Sequence, residues 1–445
     1  MSADMLAIAR SGTRAARAAL DVTAQNIANA SSEGYVRRSV QLSEVSASSG
    51  IGGAGSTTLA GVRISGIARN ADVFRQAEVR RTGGDAARAS TEVQGLENIE
   101  AAVEQSGVYK ASVAFEGSLQ QLLSDPTDGA LRASVMESGR TLASTLNVTV
   151  ASLDAAGKGL RFEAQDGVDQ VNLLTGELAR VNARLGRATE ASATQSTLLD
   201  QRDTLLQKLS GQVDITTTFA ADRTVEVRIG GATGPTLLSG QTSATMAMAT
   251  ATDGTVSFTL DGAAVTPASG ALAGRSQALE QLADTRDKID TIAAGIISAV
   301  NGAQTSGVDL QGAPGAPLFS GTNASTIALA TNDGSKIATA PAGTGPQSRD
   351  AGNLAVLRGA LGAANPSGGL DAVLFDVSSA VAGRTVTRDA LASIADSASI
   401  ALQTQAGVDL DQEAVNLIRF QQAFSASGRV MQVANDLFDT ILGIR

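Results

Sequence analysis

Asp200 and Asp203 stand one helical turn apart with Arg202 between them, the spacing an acid pair would need for general acid–base chemistry. On a helix the same pattern also reads as a solvated face, or as half of a salt bridge to another molecule, and that is the expectation here. Asp409, Asp411 and Glu413 could suggest a cation site. They crowd the start of a helical stretch, however, where carboxylates cap free N–H groups and complement the helix dipole. Gly50-Ile51-Gly52-Gly53-Ala54-Gly55 fits G-x-G-x-x-G. A dinucleotide site would need a buried strand before it and a helix opening within it. A Ser-rich stretch precedes this one and Ser-Thr-Thr-Leu-Ala-Gly follows, so a loop is expected. The sequons at Asn29, Asn147 and Asn323 are read as chance matches. No His, Cys or Trp occurs anywhere, which excludes a Ser-His-Asp triad, a cysteine nucleophile, a zinc site of thiolates and imidazoles, and any disulfide. No catalytic, cofactor-binding or metal residue is assigned, and no enzymatic activity is expected.

The 445 residues are enough for more than one core. Lys and Arg number 34 against 44 Asp and Glu, a net charge of −10, which argues against nucleic acid as a partner. Aromatics make up 3%, too few for base-stacking platforms. The best apolar run, Ile292 to Val300, is nine positions long and contains a glycine, so no membrane-spanning helix is expected. The first twenty residues lack a continuous apolar core and have Arg10, Arg14 and Arg17 spread through them; they do not read as a cleaved signal peptide.

The strongest signals are at the two ends. Leu6, Ala9, Thr13, Ala16, Leu20, Thr23, Ile27 and Ala30 are spaced 3, 4, 3, 4, 3, 4, 3, a heptad seam of mostly small side chains. Leu417, Phe420, Phe424, Ser427, Met431, Ala434, Phe438 and Ile441 repeat the same spacing, and a neighbouring stripe of Val430, Val433, Leu437 and Ile444 widens that face. Between the ends, residues 35–70 read as an extended connector. Helical periodicity then runs from Ala71 to Leu209, with breaks expected at Asp125-Pro126 and Gly157-Lys158-Gly159. Period-two alternation at Val225, Val227 and Ile229 and at Val256, Phe258 and Leu260 predicts a small antiparallel β module within 211–270. Helix returns at 271–303, residues 304–350 are loop-rich, and a last helical region is expected from Arg384 to the end with a pause at Gly407.

The fold class is therefore mainly α with a β insertion: paired terminal coiled-coil helices (1–34 with 407–445), a mainly helical domain (35–210 with 271–406, including a short extended connector at 35–70), and a small antiparallel β domain (211–270). Residues 1–40 hold five Arg against three acids and residues 407–445 three Arg against five acids, so the ends carry opposite charge and are expected to pair. The N-terminal seam has few large side chains and buries little. Periodicity alone leaves two readings open: ends that order fully only in an assembly, or an ordinary intramolecular helix pair.

Ala19-Leu20-Asp21-Val22-Thr23-Ala24-Gln25-Asn26-Ile27-Ala28-Asn29-Ala30, followed by Gly34-Tyr35, resembles the N-terminal signature of bacterial flagellar axial proteins, with Asn26, Ile27, Ala28, Asn29, Gly34 and Tyr35 as its motif. Ser32-Glu33 stands where that family usually has Thr-Pro. Leu198-Leu199-Asp200-Gln201-Arg202-Asp203-Thr204-Leu205-Leu206 and the stretch from Asp409 to Phe424 are similar to segments of the hook-associated members. The resemblance implies terminal helices lining an axial channel, an elongated helical-bundle domain outside them and the β domain outermost, in a structural adaptor at the hook–filament junction. It implies export by the flagellar type III apparatus without a cleaved signal, to an extracellular place in the flagellum. The implied partners are further copies in an open helical assembly, hook protein, a second junction protein or the flagellin side, and an export chaperone on the C-terminal segment. Leu6, Ala9, Ala16, Leu20, Ile27, Leu417, Phe420, Phe424, Met431, Ala434, Phe438 and Ile441 are the assembly residues this reading selects. The alternatives are another axial protein of hook or distal rod, or a secreted enzyme with its activity in the β module.

Overall fold

The computed structural model describes residues 2–48 and 57–442; the glycine-rich stretch at 50–55 lies outside them. The chain separates into two compact units, Met1–Asp85 with Gln170–Met246 and Leu391–Arg445, and Ala86–Asp169 with Ala247–Ala390. Helix predominates throughout, with small antiparallel sheets, as the periodicities predict.

The first unit holds α1 (Ser2–Ala28) and a hairpin of β1 (Arg38–Ser48) and β2 (Thr57–Arg69), with register shifts at Gln41/Leu42 and Glu44/Ser46. It also holds the beginning of α2 (Val73–Glu104), the end of α4 (Gly129–Leu185), all of α5 (Ala193–Gln212), the end of α8 (Pro366–Ala406) and α9 (Leu410–Leu442). The hydroxyl of Ser192 accepts the Gln195 N–H at the start of α5, and the Gln195 side chain reaches back to the N–H of Ala191, a reciprocal cap that fixes where this helix begins. Asp409 caps α9 from one side only, accepting from the N–H groups of Asp411 and Gln412.

The second unit is built on one apolar core. In α3 (Val108–Leu122), Val108, Ala111, Phe115, Leu119 and Leu122 recur every three or four residues and face inward. Phe115 meets Phe319 edge-on at 5.7 Å. Leu142, Leu146 and Leu153 of α4, Ile289 and Ile296 of α6 (Ala271–Thr305), and Leu354 and Leu357 of α7 (Gly352–Ala364) complete this core.

Three expectations change. Gly157-Lys158-Gly159 does not interrupt α4. Each helical glycine costs about 1 kcal/mol against alanine, but Leu153 and Leu160 on either side are buried in the core, and that burial outweighs the cost. The last helical region begins well before Arg384. Asn365 takes a left-handed conformation to end α7, and Pro366 opens α8 at the position where its missing N–H costs nothing. Finally, the β segment is two sheets rather than one: β3 (Ile215–Phe219), β4 (Val225–Ile229), β5 (Thr236–Ser239) and β6 (Thr242–Ser243) in one, β7 (Met246–Thr250), β8 (Val256–Leu260) and β9 (Ala263–Val265) in the other.

The two sheets repeat one hairpin. Ala220-x-Asp222-x-Thr224-Val225 returns thirty-one residues later as Ala251-x-Asp253-x-Thr255-Val256. In both turns the aspartate accepts from the backbone N–H and hydroxyl of the threonine, and the alanine N–H donates to the threonine carbonyl. In both, an arginine holds the carbonyl of the residue after the aspartate: Arg202 that of Arg223 at 2.7 Å, Arg161 that of Gly254 at 3.2 Å.

A second device recurs in both units. Asn26 of α1 donates to the Arg38 carbonyl and accepts the Arg38 N–H at 2.9 and 3.0 Å. Asn172 does this for Met246, Asn182 for Val225 and Asn301 for Phe319. Each carboxamide stands in for a neighbouring strand, satisfying an N–H and a C=O that the sheet leaves unpaired.

Candidate functional site

α9 runs back along α1. On α1, which packs against both α9 and the β1–β2 hairpin, Ala9, Ala15, Ala16, Ala19 and Val22 are buried and Leu6, Leu20 and Ile27 half-buried; Gly12 lies against Ser427 of α9. On α9, Leu417, Phe420 and Met431 are half-buried and Ala434 is buried, so this much of the two heptad seams is used within the chain. Phe424 and Phe438 are not covered; they remain 40% and 51% exposed. The side chain of Ile441 lies outside the described residues.

The stripe beside the α9 seam is not covered either. Val430, Val433 and Leu437 are 41%, 54% and 47% exposed, and Val415 and Ile418 nearer the start of the helix are also exposed. A helix with this much apolar surface left open lacks the polar outer side of an ordinary surface helix.

Behind this pair sits a buried polar cluster. The Tyr35 hydroxyl donates to Asn26 Oδ1 at 2.8 Å, and the Arg38 guanidinium lies 4.9 Å from the Tyr35 ring centre. Burial pushes the Tyr35 hydroxyl above its usual range against the pull of Arg38. Gly34 has φ +75°, and a side chain there would meet the Thr204 hydroxyl of α5, so the turn needs both glycine's backbone and its bare α-carbon. In the motif, then, Asn26, Gly34 and Tyr35 form a working unit. Ile27 packs in the seam, Ala28 is exposed, and the Asn29 amide donates within its own helix to Gln25.

Asp200 and Asp203 are neither a solvated face nor partners for another molecule. Arg38 of β1 donates to Asp200 at 2.6 Å; Arg69 of β2 lies 2.8 Å from Asp200 and 2.9 Å from Asp203; Arg202 binds Asp203 at 2.7 Å. Gln76 of α2 also donates to Asp203. The expectation failed because the arginines that cover these acids come from a hairpin more than 130 residues away. Burial raises the Asp200 carboxyl, and Arg69 and Arg38 only partly offset it. Burial acts on Asp203 too, but Arg202 and Arg69 together outweigh it and hold that carboxyl low. Desolvation lowers Arg202 and Arg80. Among the described residues the Nε atoms of Arg38 and Arg69 have no hydrogen-bond partner.

Glu413 likewise departs from its expected capping role. It is 1% exposed, and its carboxylate takes the Arg37 Nε at 2.6 Å. Only Asp409 caps α9 with its side chain as anticipated. Sequence reasoning passed over Arg37, Arg38 and Arg69; the signal was an Arg pair directly after the Gly-Tyr turn, in a segment with two acids awaiting a partner. Among the described residues no three Asp or Glu side chains converge as metal ligands, and no helix is long and apolar enough to cross a membrane.

The helical-domain model of flagellar hook-associated protein FlgK matches residues 93–319, just over half of the chain. The C-terminal model of flagellar basal body rod proteins FlgEFG matches 403–444, and the flagella basal body rod protein model 6–35. Flagellar hook-associated protein 1 of Bacillus subtilis is 25% identical over 98% of this chain and 97% of its own length. Its Salmonella typhimurium namesake is 28% identical over 70% of this chain and 58% of its own length; the chain thus covers less than two thirds of that relative. A solved structure, the flagellar hook junction protein FlgK from Burkholderia pseudomallei, aligns over 54% of this chain and 46% of its own with 23% identity and a TM-score of 0.48.

Proposed function

This chain belongs to the flagellar hook-associated protein FlgK family, and from that premise we propose how it serves the flagellum. It is a structural component at the hook–filament junction and associates with other axial components. Its role, we infer, is geometric and not catalytic. Copies pack head-to-tail through heterologous contacts into an open helical layer, with hook protein on one side and a second junction protein or flagellin on the other. The chain reaches this extracellular place by type III export without a cleaved signal, its C-terminal segment held by a chaperone until then.

The observation that carries the assembly reading is the uncovered apolar stripe of α9, together with the exposed Phe424 and Phe438. Burying a large apolar side chain contributes roughly 1.5–3 kcal/mol, so the stripe is a substantial driving force once a neighbour covers it. The seam residues hold the pair together, and the outward residues receive the neighbour. Val433→Asp and Ile418→Asp should leave both units folded by hydrogen exchange yet abolish incorporation and motility. Filaments of normal number in either strain would remove the assembly role of α9.

A further inference from the structure

α1 and α9 carry charges that the chain itself does not use. Arg10, Arg14 and Arg17 recur at helical spacing on the side of α1 turned away from α9, followed by Asp21, and all four are exposed. On α9, Arg429, Asp436 and Asp439 are exposed on the side turned away from α1. Among the described residues none of these seven groups has an ion-pair partner, and no ion pair joins α1 to α9; the nearest, Arg37–Glu413, lies beyond the end of α1. The opposite charges of the two ends therefore do not hold the internal pair together. They point outward on opposite flanks of it, where two groups of one copy cannot meet but groups of adjacent copies can.

The order of the charges is complementary when the helices run antiparallel. Along α1 the outer face reads plus at Arg10, plus at Arg14 and minus at Asp21; backward along α9 it reads minus at Asp439, minus at Asp436 and plus at Arg429. The steps are 4 and 7 residues on one helix and 3 and 7 on the other, so a single register brings Arg10 to Asp439, Arg14 to Asp436 and Asp21 to Arg429. The same register brings Arg17 level with Val433, whose apolar surface its stem can cover. We propose that the outer face of α1 in one copy is the docking surface for the outer face of α9 in a second copy, in this register. The proposal rests on the assembly reading above and names its contact. Within one chain Gly12 sits opposite Ser427; Arg14 opposite a neighbour's Asp436 is displaced from that by eleven residues, which sets an axial offset between adjacent copies of about 16 Å.

Two measurements on the full chain test it. Arg10→Glu with Arg14→Glu should weaken self-association at least about ten-fold and remove its salt sensitivity. Adding Asp436→Arg and Asp439→Arg to the same chain should restore it. Because the chain has no cysteine, Arg14→Cys with Asp436→Cys should give an oxidation-dependent ladder of cross-linked copies, while Arg14→Cys with Ser425→Cys, which are level within one chain, should not. Normal association of the charge-reversed chain, failure of the compensating pair to rescue it, or a ladder from the control and not from the Asp436 pair would each overturn the proposal. The Val433→Asp variant keeps the outcomes apart: if it blocks assembly while the charge reversals do not, the register is wrong but the assembly reading stands; if neither blocks, the assembly reading falls as well.

Discussion

Arg37 Nε lies 2.6 Å from Glu413 Oε1, joining the turn after the first helix to the first turn of the last helix across 376 residues of sequence. Glu413 is buried and Arg37 is partly exposed, so removing each has a different consequence. Glu413→Ala strands a guanidinium that can turn to water. Arg37→Ala strands a buried carboxylate and should cost more, about 3 kcal/mol against about 1. Hydrogen exchange of the amides near the start of α9 reads both, and equal losses would contradict the asymmetry.

The acid pair sets a pH dependence whose two parts have opposite sign. Asp203 is held low in the folded chain, so its contribution is present above the ordinary carboxylate value of about 3.9 and is lost as pH falls through the folded value. Asp200 is raised, so its contribution is present below that ordinary value and is lost as pH rises through the folded one. On acidification Asp200 takes its proton first and partly offsets the loss at Asp203. Asp203→Asn should weaken hairpin protection by roughly 3 kcal/mol at pH 7 and flatten its acid limb. Asp200→Asn should leave that limb in place, now without the offset. Exchange of the β1 and β2 amides between pH 7 and pH 3 checks both.

The asparagine clamps predict a sharp dependence on one atom. Asn182→Asp keeps shape and volume but turns the Nδ2 donor, which serves the carbonyls of Val225 and Gly240 at 2.8 Å, into an acceptor facing acceptors. The loss should be about 2–4 kcal/mol, seen as exposure of the β4 amides. At the surface residue Asn332 the same substitution should change stability by no more than about 0.5 kcal/mol.

The repeated hairpin contains its own comparison. Arg223 sits at φ +68° where its counterpart Gly254 sits at +88°. A non-glycine residue pays on the order of 1 kcal/mol there, and the Arg223 charge also works against Arg202. Arg223→Gly keeps the carbonyl that Arg202 holds and should raise the melting temperature by about 2–4 °C. An unchanged or lower value in differential scanning calorimetry would show that the arginine side chain contributes more than its backbone strain costs.

These residues also mark how far the sequence could be read. The terminal helices were legible because their heptads are local and regular, and the Asp409 cap because a cap involves only its own next two or three residues. Asp200, Asp203 and Glu413 were misassigned because their surroundings come from Arg38, Arg69 and Arg37, segments with no sequence proximity to them. The start of α8 was missed because residues 352–383 are rich in Ala, Gly and Ser and give a weak period, although Asn365-Pro366 marks the junction once both halves of the signal are read together. The hairpin repeat escaped notice because only its turn and alternate strand positions recur.

Five of the eight N-terminal seam positions are Ala or Thr. Side chains that small make shallow grooves, which hold the larger side chains of α9 only weakly against sliding along the axis. The relative position of the two rod-like helices along that axis must then be fixed at a few discrete points, and the Arg37–Glu413 pair at one end is such a point. It acts as the pin of an otherwise smooth joint, letting the rest of the two rods adjust while the joint stays in step.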